Sequence, residues 1–300
     1  MRQHLLALVL VLSTDLAHGQ SPTILGGAGA GVRVANSPSA LIAGNFSGAT
    51  LQESPFAVLY GANAGQELKN SQYATAIGPS AARSSEGGEG AIYLGFASGY
   101  YAKTSVKYST LIGYAAARFA DNNTYSNIIG YAAGSYSHRS HQSVLIGMHS
   151  GYRANDSDSL ITIGRFAGAW ADNSPHSVMI GYQAGGVEKL DAQTEVASAH
   201  HVARGVYIGA GAGKDSAATA DVVLIGTDTS AAANIENAIA LGKGARVTQS
   251  NTMSVPVLKR EGGGVLEVDA SGNVAPTDRL AQALAMIADL QARVAALEKK

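Results

Sequence analysis

Along most of this chain a short apolar phrase recurs: large aliphatic residues, a glycine, two variable residues, then a small one. Ser126-Asn-Ile-Ile-Gly130-Tyr-Ala-Ala133, Ser143-Val-Leu-Ile-Gly147-Met-His-Ser150 and Ser177-Val-Met-Ile-Gly181-Tyr-Gln-Ala184 are three of its copies. The anchor glycines are Gly44, Gly61, Gly78, Gly95, Gly113, Gly130, Gly147, Gly164, Gly181, Gly209, Gly226 and Gly242. Eight of the eleven steps between them equal seventeen; the others are one of eighteen, one of sixteen and one of twenty-eight. A fixed period of this size marks stacked structural repeats in which each coil covers its neighbours.

The columns of the repeat describe one coil. Directly before the glycine stand Leu94, Ile112, Ile129, Ile146, Ile163, Ile180, Ile208, Ile225 and Leu241; two places earlier stand Ile92, Val144, Ile161, Val178, Val206, Val223 and Ile239. Apolar residues two apart, mostly β-branched, predict a strand that turns this face inward. The glycine ends the strand. Three residues beyond it the side chain is always small, from Ser47 and Ala64 through Ala116, Ala133 and Ser150 to Thr229 and Ala245. That uniformity predicts a crowded interior position. Asn122, in a variable turn, is by contrast expected to accept a larger apolar group. One period accommodates two short strands and two turns, so the chain is expected to be an all-β repeat protein, a parallel β-solenoid of about twelve coils.

The coils are expected over residues 40–250. Before them, residues 1–19 read as an export signal: Arg2 and His4 precede the apolar run Leu5–Leu12, and Ala17-His18-Gly19 offers small residues for cleavage. The run is too short to span a bilayer, and no other stretch could do so. Residues 20–39, rich in Gly, Ala, Ser and Pro, read as a flexible lead-in. The long step between Gly181 and Gly209 carries an insertion around Val187–Arg204, and solenoid insertions map to surface loops.

Beyond Gly242 the pattern changes. Residues 251–277 form a connector in which glycines punctuate short strands such as Val265–Val268, and residues 278–300 read as a helix. With Leu280, Ile287 and Val294 at a and Ala283, Leu290 and Leu297 at d, that helix has coiled-coil spacing. Three heptads are marginal alone, which suits a self-association device on an already associated body.

Composition narrows the functional classes. Glycine makes up 36 of 300 residues, charged residues 14%, and the net charge is −1, so no positive stripe exists for a nucleic-acid partner. No cysteine is present, so an exported chain of this kind depends on stacking or assembly rather than disulfides.

The once-per-coil phrase, the connector from Asn251-Thr-Met-Ser-Val255 to Thr277-Asp278, the terminal heptads and the export signal together resemble trimeric autotransporter adhesins. Arg293-Val-Ala-Ala-Leu297-Glu298 is similar to the trimer-favouring phrase of such coiled coils, in which Arg and Glu pair across helices. The resemblance covers about residues 40–300 and implies a left-handed parallel β-roll of three chains, as in YadA-type heads, that is exported and binds host or environmental surface proteins or glycans. Similar I-G-Y-x-A-G repeats also occur in phage-tail-fibre-like surface proteins. The adhesins' four-strand membrane anchor and the tail-fibre proteins' chaperone domain have no counterpart up to Lys300, which leaves the mode of attachment open.

No enzyme chemistry emerges. Ile129-Gly130-x-x-Ala133 fits the hexapeptide unit of trimeric left-handed β-helix acyltransferases, but those need three units per coil and this chain has one. His138, His141, His149, His176 and His200-His201 have no acidic partner at informative spacing and read as solvated surface residues. Gly209-Ala-Gly-Ala-Gly213-Lys214 superficially matches a phosphate loop but is one more coil. No catalytic, cofactor or metal residue is assigned. The better candidate is a ligand face: Tyr101, Phe119, Tyr136, Arg153 and Trp170 all stand six places after an anchor, and equal offsets stack in a solenoid. A second file, one place after the anchor, holds Phe96, Tyr114, Tyr131, Met148, Arg165 and Tyr182. Both files suit ligand contacts, and both also suit simple coil-to-coil stacking.

Overall fold

The computed structural model describes residues 23–103, 106–186, 201–214, 216–256, 265–268, 274–277 and 284–291. Over these the chain is a parallel β-solenoid of about twelve coils, each the length of one sequence repeat. Its first strands are β1 (Thr23–Gly26), β2 (Leu41–Ala43), β3 (Val58–Tyr60), β4 (Thr75–Ile77) and β5 (Ile92–Leu94). They continue as β6 (Thr110–Ile112), β7 (Asn127–Ile129), β8 (Val144–Ile146), β9 (Ile161–Ile163) and β10 (Val178–Ile180). After the insertion come β11 (Val202–Ala203), β12 (Val206–Ile208), β13 (Thr219–Ile225), β14 (Ser230–Ala231), β15 (Glu236–Leu241), β16 (Arg246–Val247) and β17 (Met253–Ser254). One sheet runs in order from β1 to β10 and on through β12, β13, β15 and β17.

Pairing is in register from β2 to β10, with Val144 opposite Ile161 and Ile146 opposite Ile163, while β1 meets β2 through a register shift between Ile24 and Gly26. The long step does not disturb it, since Val178 pairs directly with Val206 and Ile180 with Ile208. The inserted residues 187–200 lie outside the described residues, as do residues 1–22.

Three expectations are corrected. First, over residues 35–138 the second strand reduces to a single bridging residue, in the rows Ala35–Gln52–Lys69–Glu86 and Lys103–Asp121–His138, whereas the last coils carry the two-residue pair β14–β16. The cause is backbone conformation: forty of the described non-glycine residues have positive φ, spread through the turns of every coil. Hydrogen bonding between coils nevertheless continues through those turns. Phe119 (φ 55°) donates to the Tyr100 carbonyl at 2.9 Å, and Arg153 (φ 54°) to the Ser135 carbonyl at 3.0 Å. These lateral bonds offset conformations that side chains otherwise avoid.

Second, the inward strand position is the middle one, not the pair that flanks it. Ile42, Leu59, Ala76, Tyr93, Leu111, Ile128, Leu145, Thr162, Met179, Tyr207, Leu224 and Ala240 are all buried. The flanking apolar rows point out of the lone chain, with Tyr60 63%, Leu94 40% and Ile225 40% exposed. Alternation locates a buried face only when the other face is polar, and here both faces are apolar.

Third, the described part of the lead-in belongs to the solenoid. Thr23 pairs with Leu41 in the sheet, Ala30 is buried, and Ala35 bridges Gln52. Gly27 stands one full repeat before Gly44 and begins one more coil. At the other end the sheet outruns the expected boundary at 250, because Met253 pairs with Ile239 in β17.

The small column is where the sequence placed it: Ser47, Ala64, Ala81, Ser98, Ala116, Ala133, Ser150, Ala167, Ala184, Ala212, Thr229 and Ala245 are all buried. The anchor glycines from Gly44 to Gly226 are required twice over. Gly130 has φ 137°, and a Cβ there would lie 2.5 Å from the carbonyl oxygen of Gly147 in the next coil. The interior is also wired by serine. Ser126 donates its N–H to Ser109 Oγ at 3.0 Å, and Ser143 to Ser126 Oγ at 3.2 Å. Ser143 Oγ in turn accepts the N–H of Leu160 at 3.2 Å and donates to the Ser157 carbonyl. A hydroxyl that both accepts and donates carries little penalty for burial.

The tail holds an antiparallel pair, β18 (Val265–Val268) with β19 (Val274–Thr277), in line with the short strands expected there. A helix, α1, covers 284–291. Ile287 (50%) and Leu290 (53%) are exposed on it, whereas Leu280, Ala283, Arg293, Val294, Leu297 and Glu298 lie outside the described residues.

Candidate functional site

The solenoid converts equal offsets into touching side chains. Tyr101 stacks on Phe119 (5.7 Å between centroids, 19°) and Phe119 on Tyr136 (5.1 Å, 30°). The Arg153 guanidinium lies 5.6 Å from the Tyr136 centroid and 4.5 Å from that of Trp170. All five residues of the expected ligand face therefore form one continuous file. The second file begins as expected, with Phe96 on Tyr114 (5.1 Å, 12°) and Tyr114 on Tyr131 (5.0 Å, 5°). A third file, twelve or thirteen places after the anchor, stacks Phe56 on Tyr73 and Tyr108 on Tyr125. Ring pairs in this offset geometry contribute about 0.5–1.5 kcal/mol each beyond their area, so the files hold coils together whether or not they bind anything.

Between the first two files lies an open recess of about 350 Å³, lined by Ser80, Arg83, Phe96, Ala97, Tyr100, Tyr114, Ala115 and Arg118. Its polar groups come from the column five places after the anchor, which reads Gln66, Arg83, Tyr100, Arg118. Arg83 and Arg118 each approach the Tyr100 ring, at 5.8 and 5.7 Å from its centroid, and Arg118 also lies 4.7 Å from that of Phe119. The Nε atoms of both arginines are buried and have no hydrogen-bond partner. Sequence reasoning passed over this column because one arginine, one tyrosine and another arginine do not look like a repeat. The signal available was their shared offset.

Other ionisable groups are structural. Arg139 forms a bidentate pair with Asp156 in the next coil (2.5 and 2.7 Å), and Arg204 does the same with Asp221. Each arginine lowers the pKa of its carboxylate partner through a hydrogen bond. Both pairs are solvent-exposed and add little stability. His149 departs from the expectation of solvated histidines. It is half-buried, stacks on Phe166 at 5.1 Å, and burial followed by the nearby Arg165 charge lowers its pKa. Asp172 is pushed up by burial, while hydrogen bonds from Asn155 oppose the shift. Among the described residues no three His, Cys, Asp or Glu side chains form a metal-binding group, and no helix is long and apolar enough to cross a membrane. The glycine-rich stretch at 209–214 is a coil, in which Gly213 makes room for the buried ring of Tyr207.

Compared with models of known protein families and with curated proteins, the chain matches none. Its files and recess therefore stand on geometry alone.

Proposed function

We propose that this chain is the head of a non-enzymatic, exported, surface-displayed homotrimer that binds protein or glycan ligands on host or environmental surfaces. In this reading the solenoid is a left-handed β-roll, and the terminal helix continues into a three-stranded coiled coil like that of the trimeric autotransporter adhesins. The observation that carries the proposal is the outward apolar double row. Val58 and Tyr60, Ile92 and Leu94, Ile161 and Ile163, and Val223 and Ile225 repeat along the sheet on the side a lone chain leaves in water. Although Thr75, Thr110 and Asn127 interrupt one of the two rows, a largely apolar exposed strip of this kind marks an interaction site, and its in-register repeat suits parallel copies of the chain. Ile287 and Leu290, exposed on α1, support association at the same end of the chain.

One main sheet with a second row of bridges and the short pair β14–β16, rather than flat sheets on three faces, supports the roll over an acyltransferase prism. The test is sedimentation of the exported protein: three times 30.6 kDa, less the signal, is expected, and a monomer sinks the proposal. A glycan and matrix-protein array on the same material separates an adhesin from a purely structural fibre, which would bind nothing on it.

A further inference from the structure

We infer that the recess between Arg83 and Arg118 is a binding site for a carboxylate-bearing sugar. The inference deepens the ligand-binding role proposed above and rests on it.

Three features of the recess converge on this chemistry. The first is unspent hydrogen-bonding capacity: the buried Nε of Arg83 and that of Arg118 lack acceptors, and no described carboxylate pairs with either guanidinium. The Nε atoms are too buried to meet a ligand, so an incoming anion is taken by the terminal nitrogens of the two guanidinium groups. The second is pre-organisation. Tyr100 stands between the two arginines, close to both and edge-on to Tyr101 at 4.5 Å. Both guanidinium groups are thus placed beside one ring, and the guanidinium fork matches a planar, two-oxygen carboxylate.

The third is the wall. Phe96 (48% exposed) and Tyr114 (49% exposed), stacked face to face, present an apolar strip of ring edges beside the cations, while Ser80, Ala97 and Ala115 line the floor. An apolar strip next to polar groups suits a ligand with one apolar face and one polar edge, which is the character of a pyranose. An acidic peptide would satisfy the cations but uses neither the apolar strip nor the restricted size of the recess. None of the lining residues belongs to the outward strand rows, so assembly through those rows does not draw on them.

The test is saturation-transfer NMR and calorimetry on the full exported protein, with glucuronic acid and N-acetylneuraminic acid as probes, glucose as the neutral control and an oligoglutamate as the peptide competitor. The acidic sugars are expected to bind with transfer to their ring protons, to weaken with added salt, and to lose about tenfold or more in affinity in the Arg83→Gln, Arg118→Gln double variant, given the strength of charged hydrogen bonds. Tyr114→Ala is expected to reduce ring-proton transfer while leaving the salt dependence. An unchanged melting temperature in each variant excludes misfolding as the cause. Equal binding of glucose, stronger binding of oligoglutamate, no binding of either acidic sugar, or no effect of the double variant each overturns the inference. If the double variant remains trimeric and still binds an array ligand, the recess is not the site and the adhesin-like role stands. If the unmodified protein is monomeric and binds nothing on the array, the role itself fails.

Discussion

At the scale of single residues, position within the coil outweighs residue type. Ala133 is buried in the small column between Ala116 and Ser150, so Ala133→Leu adds carbons where none fit and is expected to cost about 1–3 kcal/mol in urea unfolding. Asn122 is not the neutral comparison that its variable turn implied. Its φ is 54°, a conformation asparagine adopts at less cost than leucine. Lys69 is the better control, being exposed and free of positive φ, and Lys69→Leu is expected to change stability by no more than about 0.5 kcal/mol. Equal effects of the two substitutions would place the column at the surface. His149 offers a pH test. Its pKa is lowered in the folded state, so the unfolded chain takes up the proton first, and stability falls as pH drops below the ordinary histidine value near 6.5. His149→Phe copies Phe166 of the next coil, which has nearly the same φ (57° against 55°), and should remove that part of the acid sensitivity. Melting curves between pH 7.5 and 5 on both proteins, at about half-unit steps, check it; the same slope in both would mean His149 carries no linkage.

Within one element, residues compensate for one another. The inward position of β5 holds Tyr93, far larger than Ala76 at the same place in β4, and burial pushes its hydroxyl pKa up. Its ring fits because Gly88 interrupts the serine column that runs through Ser54 and Ser71, and a Cβ at Gly88 would meet the Tyr93 hydroxyl. Gly88 lacks positive φ, so serine there suffers only from the ring. Gly88→Ser is therefore expected to destabilise by about 1–3 kcal/mol alone, and by at least about 1 kcal/mol less when Tyr93→Leu has vacated the space. Additive effects in that double-mutant cycle would mean the two sites do not share the cavity.

At the scale of the molecule, the outward rows and the inward column make opposite demands. Ile163 (37% exposed) and Ile225 (40% exposed) already meet solvent in one chain, so the Ile163→Lys, Ile225→Lys double variant should keep its β signal by circular dichroism. If those rows are shared between copies, charge burial dissociates the assembly at the same time. Sedimentation showing an intact trimer with both lysines in place would move the interface elsewhere.

The period, the anchor glycines and the small column were legible in the sequence because each imposes one residue type at one offset, and the aromatic files followed from the same arithmetic. The inward strand residue was not legible. Ala76, Tyr93, Thr162 and Met179 share a place in the coil but no common size or polarity, since each is fitted by different neighbours. Nor was the reduction of the second strand to single bridges, because left-handed turns at ordinary residues such as Phe119 and Trp170 have no local signature and persist through hydrogen bonds to the adjacent coils. The recess needed the fold most of all: Arg83, Tyr100 and Arg118 are separated in sequence and become one surface only when stacking brings successive coils together.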